Sequence, residues 1–114
     1  MDADAGARYD ELRHGLHDLA AAMPAVMDGF MRLHRNAVTE GALSQRTKEL
    51  MALAIAVAIR CEGCIAFHVH DAVRAGATRE EIAEAMGVAV LMGGGPAAVY
   101  ATEAMRSYDR FAEA

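Results

Sequence analysis

Apolar residues recur along this chain at helical rather than strand spacing. From about Ala7 to Met23 the apolar positions Tyr9, Leu12, Leu16, Leu19 and Ala20 predict an amphipathic helix. Pro24 suits the first turn of a second helix, which carries Val26, Met27, Phe30, Met31 and His34 and stops near Gly41. Ser44 is an N-cap candidate for a third, which runs through the apolar stretch Leu50 to Ile59 and ends near Arg60. Being apolar on all sides, this third helix is expected to be central and the most buried. A fourth spans about Cys64 to Ala75 and ends at Gly76, a natural C′ residue. Thr78 with Glu81 three residues on makes a capping box for a fifth helix, which carries Ile82, Met86, Val90 and Leu91. The run "GGGP" should break it, and Pro96 can start a sixth helix reaching about Phe111. No period-2 strand pattern is found. The fold class is all-α: about six helices in a single domain over residues 1–114, without linker or internal repeat.

Composition sharpens this picture. A chain of 114 residues is long enough for one hydrophobic core without a disulfide staple. Hydrophobic residues make up 54% and aromatics only 5%, so that core is built from Ala, Val, Leu, Ile and Met, with the 8 methionines filling irregular gaps. So high an apolar fraction in so short a chain points to burial within an oligomer. The net charge of −5 and the lack of a basic stripe argue against nucleic acid as a partner. The start "MDADAGARYDELRHG" is acidic and polar, unlike a signal peptide, and Leu50–Ile59 is far shorter than the roughly 20 residues that cross a bilayer. The expectation is a soluble cytoplasmic protein with no membrane partner. In that compartment a CxxC pair is catalytic or metal-binding more often than structural. "LMGGGPAAVY" lacks the Lys and Ser/Thr of a phosphate-cradling loop and reads as helix termination.

The chemistry concentrates in "RCEGCIAFHVHD", which holds both cysteines of the chain at a helix–helix junction, with Gly63 expected to relax the turn. A thiol reacts as its thiolate. Cys64 lies in the first turn of a predicted helix, where the helix dipole and free N–H groups favour an anion. His68, one turn on and on the same face, can take the thiol proton. Cys61 is close enough to form a disulfide with Cys64 and could resolve a sulfenic acid there. Two other readings compete: a pair of inert buried cysteines, or a metal clasp of Cys61, Cys64, His68 and His70. The clasp is weakened because positions 68 and 70 are separated by about 200° around a helix.

Glu49 either marks the solvated start of its helix or points inward to orient His68. It precedes Cys61 by twelve residues, about 18 Å along a straight helix, so contact with His68 requires helix crossing or a neighbouring subunit. Met23, Met27 and Met31 suit a core or subunit interface. Tyr100 lines a substrate channel or is buried with its hydroxyl bonded. His14, His17 and His34 lie on polar or mixed faces and receive no role.

Glu49, Cys61, Cys64 and His68 together reproduce the pattern E-x11-C-x2-C-x3-H, and "HVHDAVRAGATREEIAEAM" continues it. Over roughly Leu43 to Met105 the chain thereby resembles AhpD-like proteins of the alkylhydroperoxidase D/carboxymuconolactone decarboxylase superfamily. The resemblance implies an all-helical bundle that assembles as a homotrimer or homohexamer and needs no cofactor or metal. It implies peroxidase and disulfide-oxidoreductase activity: Cys64 attacks a hydroperoxide, Cys61 resolves, and His68 and Glu49 relay protons. A dithiol protein, lipoyl or thioredoxin-like, would return the electrons. Well-known members carry a histidine just before the second cysteine, where this chain has Gly63, which removes an acid/base or substrate contact. The decarboxylase branch lacks the CxxC, so lactone decarboxylation is disfavoured. The alternative function is a non-catalytic oligomeric module that senses redox state or binds metal.

Overall fold

The computed structural model describes residues 4–113, which form α1 (Ala5–Ala22), α2 (Pro24–Val38), α3 (Gln45–Ala58), α4 (Glu62–Arg74) and α5 (Arg79–Ala112), with no strand among them. Local chemistry sets most of the boundaries. The Ser44 hydroxyl accepts the Thr47 N–H at 3.0 Å, and Thr78 and Glu81 close a full capping box at the start of α5. Gly76 takes φ 91° just past α4, the left-handed conformation that ends a helix at small steric cost.

The expected break at "GGGP" is present: the fifth and sixth predicted helices meet within α5 across a kink at Gly94, whose φ of 70° and ψ of −151° are open essentially to glycine alone. Pro96 is tolerated two residues later because the second half of α5 starts there, where a backbone N–H has no intrahelical partner. At the α3–α4 junction the left-handed residue is Arg60 (φ 62°), and Gly63 sits inside α4, so the reversal does not depend on glycine. The turn is held by the Cys61 N–H on the Ala56 carbonyl at 3.0 Å.

A further correction concerns α3. It buries Glu49, Leu53, Ala56 and Val57 on one side, while Ile55 and Ile59 remain 58% and 66% exposed on the other. With Val88, Leu91 and Met92 of α5, also exposed, they leave apolar surface uncovered on the single chain.

The core lies where α3, α4 and α5 meet, around Leu53, Val57, Ile65, Val69, Ile82 and Met86. Small residues let the helices approach closely: a Cβ on Gly93 would stand 2.7 Å from the Ala97 Cβ and 3.6 Å from the Ala58 Cα. By length and hydropathy α5 could span a bilayer; here Gly94 breaks it, and Ile82, Met86, Ala97 and Ala104 belong to the core. The first two helices lie over this core: α1 has no buried residue, and α2 buries only Met27. They are held at their edges by the Tyr9–Phe111 ring contact (5.7 Å) and by the ion pair of Arg8 with buried Glu103.

Candidate active site at the Cys61–Cys64 junction

Cys61 is the N-cap of α4, and its Sγ accepts the Cys64 N–H at 3.2 Å. The two cysteines form a disulfide with Cα atoms 5.2 Å apart. Cys64 therefore occupies the first turn of α4, at the positive end of the helix dipole.

One turn further along α4, His68 Nδ1 lies 2.8 Å from Glu49 Oε1. The reversal at Arg60 brings α3 and α4 side by side, so this contact forms within one chain and needs no neighbouring subunit. Glu49 is 1% exposed and shares the buried side of α3 with Leu53, Ala56 and Val57. A carboxylate so placed needs a hydrogen-bonding partner, and His68 supplies it. With the carboxylate ionised, Nδ1 is the nitrogen that carries the proton, which leaves Nε2 as the lone pair.

A cleft of about 220 Å³ opens over this centre. Its floor is Cys61, Gly63, Cys64, Phe67 and His68 of α4; Leu12 and Leu16 of α1 with Phe30, Met31 and His34 of α2 form the roof. A Cβ at Gly63 would meet Leu12 Cδ2 at 3.6 Å, ordinary contact, so glycine is not sterically required there. Tyr100 packs against the core and does not line this cleft. Of the three methionines, Met27 is buried, Met31 lines the cleft and Met23 is exposed.

His34 is the residue that sequence reasoning passed over. Its ring centroid lies 5.7 Å from Phe67, edge-on, and 6.2 Å from His68. Its Nε2 is shielded from solvent and has no hydrogen-bond partner among the described residues. An orphan of this kind costs about 1–3 kcal/mol. The available signal was its place on the face of α2 that carries Met27 and Met31.

A second cavity of about 330 Å³ is lined by His34, Glu49, Asp71 and Arg74 among others, and one ligating atom each of His34, Glu49 and Asp71 lie within 4.8 Å of one another. Both carboxylates are already engaged, Glu49 by His68 and Asp71 by His70 at 3.0 Å. The clasp of Cys61, Cys64, His68 and His70 is not brought together: the sulfurs are bonded to each other, and His70 stacks on Tyr9 at 4.0 Å and meets Phe111 edge-on. Burial, reinforced by the nearby Asp71 carboxylate, pushes the Tyr9 hydroxyl above its ordinary pKa.

Helices packed around a CxxC pair at one helix start, with a buried carboxylate–imidazole pair a turn away, define the class of AhpD-like helical proteins. The comparisons are specific. The chain belongs to the carboxymuconolactone decarboxylase family, whose sequence model matches residues 24–107. It is similar to an uncharacterised protein of Cupriavidus necator, 38% identical over 109 residues that cover 96% of each chain. Among solved structures it resembles a carboxymuconolactone decarboxylase family protein of Legionella pneumophila at TM-score 0.91 and 43% identity, covering 94% of this chain and 96% of that one. A family member from Thermotoga maritima, described with a suggested part in an antioxidative response, gives TM-score 0.82 at 30% identity, covering 92% and 90%.

Proposed function

We propose that this protein is a cytoplasmic thiol peroxidase and disulfide oxidoreductase that reduces hydroperoxides through Cys64 and Cys61. The observation that carries this reading is the buried Glu49 on His68 Nδ1, one turn from a cysteine at a helix start. Glu49 fixes the imidazole so that Nε2 receives the Cys64 proton. The thiolate attacks the terminal peroxide oxygen, the O–O bond breaks, and an alcohol leaves with Cys64 as the sulfenic acid. The Cys61 thiol then displaces the hydroxyl as water and closes the disulfide. A dithiol protein of lipoyl or thioredoxin type reopens it by exchange. The apolar lining of the cleft suits a substrate with an alkyl body, and the uncovered faces of α3 and α5 suit assembly into a homotrimer or homohexamer.

The test is intact-mass spectrometry of reduced protein after one equivalent of tert-butyl hydroperoxide, followed by turnover with a dithiol donor. The expected results are loss of two hydrogens localised to Cys61–Cys64, and no turnover by Cys64→Ser or Cys61→Ser. Full turnover by both variants would sink the reading.

A further inference from the structure

We propose that His34 is a second acid–base residue of the Cys64 site, holding the proton that the departing peroxide oxygen takes up. The inference rests on the peroxidase reading above and deepens it.

Three observations carry it. First, His34 forms part of the cleft wall together with both cysteines and His68, and apart from these four the lining is Leu, Phe, Met and Gly. Besides the two cysteines and His68, no other side chain in that lining carries a proton to give the departing peroxide oxygen. Second, His34 Nε2 is buried and makes no hydrogen bond with any described residue, although it is the strongest acid–base group the roof contains. Third, the ring also borders the cavity behind the cleft, and one of its nitrogens falls within the 4.8 Å cluster with oxygens of Glu49 and Asp71.

In this scheme His68, with Nδ1 committed to Glu49, keeps the thiol proton on Nε2 for the later release of hydroxide, and His34 serves the first departing oxygen. Gly63 places no side chain in the cleft floor that could serve instead. The step then balances as follows. The Cys64 thiolate forms an S–O bond and the O–O bond breaks, so sulfur loses two electrons and the peroxide gains them. The leaving alkoxide takes the His34 proton and departs as the alcohol. When Cys61 attacks the sulfenic acid, the hydroxide takes the proton stored on His68, and the Cys61 thiol proton reloads His34.

The experiment is stopped-flow oxidation of the reduced full-length protein, comparing wild type, His34→Ala and His34→Gln. The probes are tert-butyl hydroperoxide, peracetic acid and iodoacetamide. An alkoxide needs a proton to leave, whereas acetate and iodide do not. Loss of the donor should slow tert-butyl hydroperoxide on the order of 10²-fold in both variants. Peracetic acid should slow less than about threefold and iodoacetamide not at all, since general-acid assistance follows the basicity of the leaving atom. Equal slowing with all three probes would make His34 a structural residue and overturn the proposal, as would an unchanged hydroperoxide rate. If wild type is alkylated at Cys64 but oxidised by neither peroxide, the peroxidase reading itself fails, and this role with it.

Discussion

Glu49 sits at a position where the buried side of α3 would otherwise carry an apolar residue, in line with Leu53, Ala56 and Val57. A glutamine there can still accept the His68 Nδ1–H, so Glu49→Gln should fold normally. It loses the charge that favours an imidazolium beside it, and oxidation of Cys64 by peroxide should fall about 10²-fold. Stopped-flow kinetics alongside a thermal melt reads both, and an undiminished rate in a folded variant would remove Glu49 from the proton relay. Cys61, Cys64 and His68 are legible in sequence from their spacing at one helix start, whereas Glu49 joins them only through the family pattern E-x11-C-x2-C-x3-H. Whether Glu49 faced inward was not legible, since two helices with unknown crossing leave both faces of α3 open. His34 is further out of reach: its partners lie on α3 and α4, and only the docking of α2 brings them together.

At the scale of elements, the start signals were legible because capping is local: Ser44 and Thr78 act within three residues of themselves. Cys61 escaped notice as a cap because sulfur is a weak acceptor and absent from the usual set of capping side chains. "GGGP" was legible as a break because it too is local: the whole change of direction falls on Gly94, and Pro96 follows it within two residues. Gly94→Ala should therefore destabilise the fold by about 1–3 kcal/mol, since a Cβ is disfavoured at that backbone conformation. In a chain of this size each kcal/mol lowers the midpoint by roughly 4 °C or more, which differential scanning calorimetry detects readily. An unchanged midpoint would show that the bend is not held under strain.

At the scale of the molecule, Ile55, Ile59, Leu91 and Met92 leave on the surface what α3 was expected to bury. In the proposed assembly a second and third copy cover them, so sedimentation should show an oligomer, with Leu91→Asp shifting it toward monomer. A wild-type monomer at micromolar concentration would refute that assembly. The sequence pattern marked α3 as apolar all round without saying that one side stays uncovered on the single chain, because hydropathy does not distinguish a buried face from an exposed one.

The roof of the cleft is built from α1 and α2, which between them bury a single residue, Met27. Substitutions at exposed positions on these helices cost little folding free energy, typically within about 0.5 kcal/mol. Segments with so few buried contacts also open at low free energy. Cys61, Cys64, His68 and Glu49 are thus anchored in the well-packed half of the molecule, while the surface over them, His34 included, belongs to the loosely held half. Variation in that surface can change what reaches the dithiol and still leave the Glu49–His68 contact in place.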